Sequence, residues 1–330
     1  MSGNETCFNE DGLVLSEGYA RTMTDRVLPW LAEREEKTVF SGYEGRPLCV
    51  RKYPLRDARG TVVIVHGFTE CAVKFSEIIY SLLRNGYAVL AYDQRGHGES
   101  WRDPDIKDLS LTHVDRFGEY VSDLEMLCDG PLGDMPAPHY ALSHSMGGAV
   151  TASLLIKRQD IFKKAVFSSP MIAPETGSMP NALMKVMLGA MRLLGKGKER
   201  VPVSKPYAGR EGFDTACVNG RERFDWYEDL RVRTPAYQNN GPSVCWTLEA
   251  ISVTGRLLGP GCPERIDCPV RVYQAELENM VVNEAQEKFV SRVKGAELLV
   301  VKGAKHEIYR SLDEVLFPWW RGVLDYLARP

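Results

Sequence analysis

The sequence predicts an α/β fold: a mostly parallel central sheet flanked by helices, with a helical cap inserted between two of its strands. Three observations carry this expectation. Short continuous apolar runs, such as Thr61-Val62-Val63-Ile64-Val65 and Tyr87 to Tyr92, alternate with stretches of helical periodicity. Parallel strands buried on both faces have this pattern. The alternation stops at Pro170 and resumes at Pro269. Finally, Tyr140 to Val150 passes from an apolar run through Ser143-His144-Ser145-Met146-Gly147 into a helical run. That strand–turn–helix setting pushes a serine hydroxyl out at the top of a parallel sheet.

The composition suits a chain with a full core and excludes several function classes. In 330 residues, 41 Lys and Arg face 44 Asp and Glu, a net charge of -3 with both signs interspersed. No long basic run suggests a nucleic-acid partner. The longest apolar-leaning stretch, Ala182 to Leu194, is broken by Lys185 and Arg192 and is too short to span a bilayer. Met1 to Glu10 lacks the basic-then-apolar pattern of a secretory signal, so a cytoplasmic protein is expected and Asn4-Glu5-Thr6 reads as a chance glycosylation match. The eight cysteines include no Cys-x-x-Cys pair, which points to reduced thiols. The histidines and cysteines lack metal-ligand spacing, and neither metal nor cofactor is expected.

Taken in order, residues 18–34 read as helix bent at Pro29. Lys37 to Phe40 and Leu48 to Tyr53 read as an antiparallel pair joined through Gly42 to Gly45. Buried strands follow at Thr61 to Val65, Tyr87 to Tyr92, His139 to Leu142 and Lys164 to Ser168, with helices at 73–85, 112–128 and 149–156 between them. From Met171 to Arg265 the pattern is amphipathic helix with prolines and glycines. Strands resume at Pro269 to Gln274 and Leu298 to Val301, and Leu312 to Leu327 closes with a helix. The expected division is core 1–170, cap 171–265 and core 266–330.

Serine is a weak nucleophile until a base takes its proton and an acid holds the base. In this setting the chain order is serine, acid, histidine. His66, His97, His113, His139 and His144 all precede Ser145; His306, in Gly303-Ala304-Lys305-His306-Glu307, alone follows the resumed strands. A developing oxyanion needs two preset donors. The backbone N–H of Met146, at the start of its helix, is one, helped by the helix dipole; Phe68, after His66-Gly67, supplies the other.

With these residues the chain resembles the alpha/beta-hydrolase superfamily, and within it the bacterial lysophospholipases and monoacylglycerol lipases. The resemblance runs from about Phe40 to the C-terminus. It rests on His66-Gly67-Phe68-Thr69-Glu70, Asp93-Gln94-Arg95-Gly96-His97-Gly98-Glu99-Ser100, Ser143 to Gly148 and Gly303 to Glu307. His113 to Phe117 and Asn219 to Asp225 are similar to the lysophospholipase branch in particular. The resemblance implies that Asp93 to Ser100 is structural. This chain departs from the family in two ways: Ser143 replaces a glycine, and glutamates stand where an aspartate is expected. Glu276, Glu278 and Glu307 all lie near the required position. Glu307 would have to fold back along its own backbone to meet His306. The family pattern puts a glycine at Glu276 and the aspartate at Glu278, which makes Glu278 the implied triad acid and Glu276 the alternative.

The expected activity is therefore serine ester hydrolysis through an acyl-enzyme, on a lysophospholipid or monoacylglycerol. A soluble ester, thioester or peptide substrate is the second reading, and a non-catalytic binding module the third. The cap should cover Ser145. Its apolar stripe, Leu183, Val186, Met187, Ala190, Met191 and Leu194, is expected either to line an acyl pocket, chiefly through Leu183, Met187 and Met191, or to pack the cap onto the core. Lys196, Lys198, Arg200 and Lys205 follow directly and are expected either to meet an anionic membrane surface or to form a solvated face.

Overall fold

Eight strands form one sheet in the order β1-β2-β4-β3-β5-β6-β7-β8. They are β1 (Glu36–Ser41), β2 (Pro47–Tyr53), β3 (Thr61–Val65), β4 (Ala88–Tyr92), β5 (His139–His144), β6 (Lys164–Ser168), β7 (Val270–Ala275) and β8 (Glu297–Val301). The computed structural model describes residues 7–177 and 179–330. Asn4-Glu5-Thr6 and most of the Met1 to Glu10 stretch lie outside the described residues. β2 runs antiparallel to β1 and β4; all other pairings are parallel. The strands β3, β4, β6 and β7 are buried along their whole length and β5 at every residue but His139, as expected for parallel strands covered on both faces. β8 is an edge strand with Leu299 and Val300 exposed.

Ten α-helices accompany the sheet among the described residues: α1 (Tyr19–Thr22), α2 (Leu28–Ala32), α3 (Ser76–Arg84), α4 (Gly118–Asp129), α5 (Met146–Lys157), α6 (Asn181–Met191), α7 (Arg221–Arg233), α8 (Val244–Leu257), α9 (Asn283–Val290) and α10 (Asp313–Ala328). α1 and α2 are joined by a π turn at Met23–Val27, and Pro29 sits in the first turn of α2, where its missing N–H costs little. Leu124, Leu154 and Phe289, from α4, α5 and α9, pack on one face of the sheet. Ile79 and Trp320, from α3 and α10, pack with Met23 of the N-terminal segment on the other.

Two expectations are corrected. The helix expected over 112–128 starts at Gly118, because Thr112 is held in an extended bridge to Pro242 through Thr112 N–H to Gly241 O and Ser243 N–H to Thr112 O. The helix α9 between the last two strands was not anticipated; it has eight residues and only Ala285, Gln286 and Phe289 are buried. The insertion contains α6, α7 and α8 and, among the described residues, no strand. It straddles the sheet: α8 packs with the α5 face, while Trp226 and Tyr227 of α7 join the α3–α10 face. Among the described residues no helix is long and apolar enough to cross a membrane.

Candidate active site

The sheet order changes direction at β3: the next strand, β4, lies on one side of it and β5, which follows β4 in the chain, lies on the other, and α/β sheets offer a crevice beyond the carboxyl ends of such strands. Ser145 stands there, directly after β5, with φ 50° and ψ −117°. L-residues rarely take this conformation, and such strain costs about 1–3 kcal/mol. Its own backbone groups are both engaged: Ser145 N–H donates to Ser168 O, and Ser145 O accepts from the N–H groups of Gly148 and Met171. The turn also requires Gly147, because a Cβ there would lie 2.1 Å from Val65 O and 2.7 Å from His66 O. Ser143, where a glycine is usual, fits because its hydroxyl meets Thr151 Oγ1 at 2.7 Å in a buried niche.

The loop after β8 brings His306 to this turn. Its Nε2 lies 2.9 Å from Ser145 Oγ and its Nδ1 2.8 Å from both carboxylate oxygens of Glu278. An ionised carboxylate can only accept, so Nδ1 carries the proton and Nε2 is free to accept from the serine hydroxyl. Glu278 Oε1 also accepts from the N–H groups of Asn279 and Met280 at 3.0 and 2.8 Å. Burial pushes the Glu278 carboxyl up, but His306 and these two donors outweigh it and hold it below its ordinary value of 4.5. Glu276 turns away to Lys302 Nζ (2.6 Å) and Gly303 N–H (2.8 Å). Glu307 faces inward, to Lys74 Nζ (2.7 Å) and Arg310 (2.5 Å), whose charges overcome burial and hold it down to about 2. Of the three glutamates, only Glu278 meets His306.

The turn after β3 is fixed from β4: Gln94 N–H donates to His66 Nε2 at 2.9 Å, and Gln94 Nε2 donates to His66 O at 2.6 Å. With Nε2 accepting, Nδ1 donates to Gly67 O (2.8 Å), the neutral tautomer, and burial lowers this ring's pKa. The Phe68 ring lies 4.1 Å, centroid to centroid, from Trp246 of α8. Among the described residues, no acceptor takes up the N–H of Phe68 or of Met146. Asp93 is buried and accepts from Ala72 and Glu99 N–H, a structural role.

Part of the insertion holds the histidine loop, which the sequence pattern did not reveal. Asn219 Nδ2 donates to Gly303 O at 2.6 Å, Glu307 N–H to Cys217 O, Gly220 N–H to Arg310 O and Lys305 Nζ to Ala216 O. A Cβ on Gly220 would lie 2.4 Å from Arg310 O. The only sequence signal was the similarity of Asn219 to Asp225 to one branch of the family.

The cap stripe is divided. Of its expected members only Met191 packs inward, on Leu188, Val201, Val244 and Ile251 beside Met184, while Leu183, Val186, Met187, Ala190 and Leu194 are exposed. In the basic cluster, Lys198 pairs with Asp103 and Asp105, Arg200 with Asp108 and Lys196 with Glu199. A cavity of about 280 Å³ adjoins Phe68, Thr69, Met280, Cys217, Arg231 and Glu307. Among the described residues, no three His, Cys, Asp or Glu side chains form a group fit to hold a metal.

The sequence profile of the family described as serine aminopeptidase S33 (Hydrolase_4) matches residues 56–313. The chain belongs to this family. It is similar to lysophospholipase L2 of Escherichia coli K12, with 26% identity over 315 residues, covering 90% of this chain and 88% of that protein. Monoacylglycerol lipase of Mycolicibacterium smegmatis is 26% identical over 271 residues, covering 80% and 86%. Among solved structures, a soluble variant of the Saccharomyces cerevisiae monoglyceride lipase superposes with a TM-score of 0.70 at 19% identity, covering 89% and 95%. A carboxyl esterase of Bacillus coagulans does so with 0.69 at 16%, covering 89% and 97%. The fold is that of the alpha/beta hydrolases, and the resemblance to lysophospholipases and monoacylglycerol lipases holds over most of this family member.

Proposed function

We propose that the protein is a serine carboxylic-ester hydrolase acting through an acyl-enzyme on a lysophospholipid or monoacylglycerol. The observation that carries this reading is the unbroken chain Ser145 Oγ, His306 Nε2, His306 Nδ1, Glu278 at 2.9 and 2.8 Å. Ser145 Oγ attacks the ester carbonyl carbon while its proton passes to His306 Nε2. The carbonyl oxygen becomes an oxyanion facing the N–H groups of Phe68 and Met146, the latter at the positive end of α5. His306 then gives its proton to the leaving alcohol, and water, deprotonated by the same imidazole, releases the acid. Glu278 holds the tautomer and stabilises the imidazolium.

The lipid substrate comes from the names of the relatives and is supported by the cap. Leu183, Val186, Met187, Leu193, Leu194 and Val203 form an exposed apolar surface there, suited to peripheral contact with a lipid interface. In the cavity beside Phe68, Arg231 is paired with Glu211 and Glu228, and Lys74 and Arg310 with Glu307. Paired charges favour a neutral or zwitterionic leaving group over a net anion.

Ser145→Ala should lower turnover on the order of 10⁴- to 10⁶-fold while leaving the unfolding transition in place. Turnover within tenfold of the parent would sink the nucleophile assignment. Labelling of Ser145 by a fluorophosphonate excludes a binding module. A panel of lysophospholipid, monoacylglycerol, short ester, thioester and aminoacyl amide then ranks substrates. The family's description favours the amide as the second reading, and faster turnover of the amide would replace the lipid one.

A further inference from the structure

The buried carboxylate of Glu70 stands outside the chain from Ser145 to Glu278, yet it touches all three segments that bring the reacting groups together. Its Oε2 accepts from Gly67 N–H, in the Phe68 turn, at 2.5 Å and lies 3.0 Å from Nδ1 of His144, the residue before Ser145. Its Oε1 accepts from Tyr309, in the His306 loop, at 2.5 Å and from Lys74 at 3.1 Å. His144 extends the link: its Nε2 lies 3.3 Å from the backbone oxygen of His306, and the two rings are 4.9 Å apart. The packing leaves no slack. A Cβ on Gly67 would lie 2.8 Å from Glu70 Oε2, 2.9 Å from His144 Nδ1 and 3.1 Å from Ser145 Cβ.

Burial pushes Glu70 toward neutrality, but the charges of His144 and Lys74 outweigh it and hold the carboxyl well below its usual range. Burial likewise disfavours a charged His144, and Glu70 reverses this. A protonated ring donates from both nitrogens, to Glu70 and to the His306 carbonyl; a neutral ring could serve only one of these acceptors as donor.

We infer that Glu70 and His144 are a positioning pair that sets the Phe68 turn against the Ser145 turn and the His306 loop, and so fixes where the oxyanion donors stand relative to the nucleophile. Neither residue touches substrate. The inference rests on the proposed roles of Ser145 and Phe68. Donors preset for the oxyanion act in the transition state and not in substrate binding. Loosening the pair should therefore affect turnover and leave ground-state affinity alone.

The experiment compares Glu70→Gln, His144→Gln and the double variant with the parent, as full chains, on a soluble ester and on a trifluoromethyl ketone, whose carbonyl takes up Ser145 Oγ to give a hemiketal oxyanion while the serine proton passes to His306. Glu70→Gln keeps an oxygen for Gly67 N–H but loses the charge His144 needs. Its kcat should fall roughly a hundredfold, the loss expected for one oxyanion donor, with KM within about threefold and ketone affinity falling in step with kcat. The double variant should be no worse than Glu70→Gln, since both remove one unit. If Glu70→Gln does not fold, His144→Gln, which leaves the Gly67–Glu70 bond intact, should show the same parallel loss at smaller size. Ketone affinity per folded molecule equal to the parent's, or kcat within threefold of it, overturns the inference. The parent is first labelled with a fluorophosphonate. Failure to label Ser145 defeats the nucleophile reading, whereas a labelled parent with unaffected variants defeats the positioning pair alone.

Discussion

The hydroxyl of Ser143 is tolerated beside the tight turn at Ser145 because Thr151, in the second turn of α5, offers it a partner at 2.7 Å. Both side chains are fully buried. Ser143→Ala strands the threonine hydroxyl and should cost about 1–3 kcal/mol, read as a lower midpoint in denaturant. Adding Thr151→Val removes the stranded group and should recover most of the loss; a double variant as unstable as the single would show that the pair is not what accommodates Ser143. At Glu278 the expectation is kinetic as well. Glu278→Gln should lower kcat roughly a hundredfold or more, while Glu276→Gln, whose carboxylate serves Lys302 and Gly303, should change it little; the reverse result moves the acid to Glu276. A carboxyl depressed on folding stabilises the fold above its ordinary pKa and loses that contribution as pH falls through the folded value. The stability difference between parent and Glu278→Gln should thus hold steady down to about pH 5 and shrink below 4.5. A difference that grows on acidification would contradict this sign. The local sequence pattern left Glu276 and Glu278 as competitors because both lie just past β7. What separates them is the path of the turn, which sends one to surface Lys302 and the other to the histidine.

At the scale of elements, the insertion is two things. α6 carries exposed Leu183, Val186 and Met187 and rests on α8 through a small cluster. α7 is locked to the core: Arg223, wholly buried, donates to Glu77 of α3 at 2.9 Å and to Asp313 of α10 at 2.7 Å. Amide exchange should divide the insertion accordingly, α7 protected like the sheet and α6 opening far earlier; equal exchange in both would mean a cap that moves as one body. Asn219→Ala frees Gly303 O and should lower kcat more than it lowers the unfolding midpoint. Helical periodicity identified these segments but not their attachments, because a guanidinium paired across 146 residues leaves no local pattern. The same limit hid α9, whose short buried stripe is weak, and delayed α4, whose first expected turn is taken into a bridge with Pro242.

For the whole molecule, the sheet was legible because strands buried on both faces admit little but apolar residues, and the cap because that pattern lapses for nearly a hundred residues. The cap's surface character was not. Its basic residues are largely met by Asp103, Asp105, Asp108 and Glu199, whereas its apolar side chains stand open. Binding to lipid vesicles should accordingly be about as strong for neutral as for anionic ones and change little with salt. Leu193→Ser with Leu194→Ser should weaken it and slow hydrolysis of vesicle-borne lipid, with a short soluble ester unaffected. Strong preference for anionic vesicles at low salt would restore charge as the driving force.

Arg223 meets one carboxylate made 146 residues before it and another made 90 residues after it. During synthesis on the ribosome, Glu77 and then Arg223 emerge first, and Asp313 follows His306 by only seven residues. The second carboxylate of Arg223 and the proposed general base are therefore delivered almost together, after β7 has been made to cover the edge of β6. A chain stalled after Arg265 should be readily cut by protease and unreactive toward fluorophosphonate, gaining resistance and reactivity in one step once the final helix is out. Newly made protein would then pass from inert to hydrolytic without lingering as a half-built esterase.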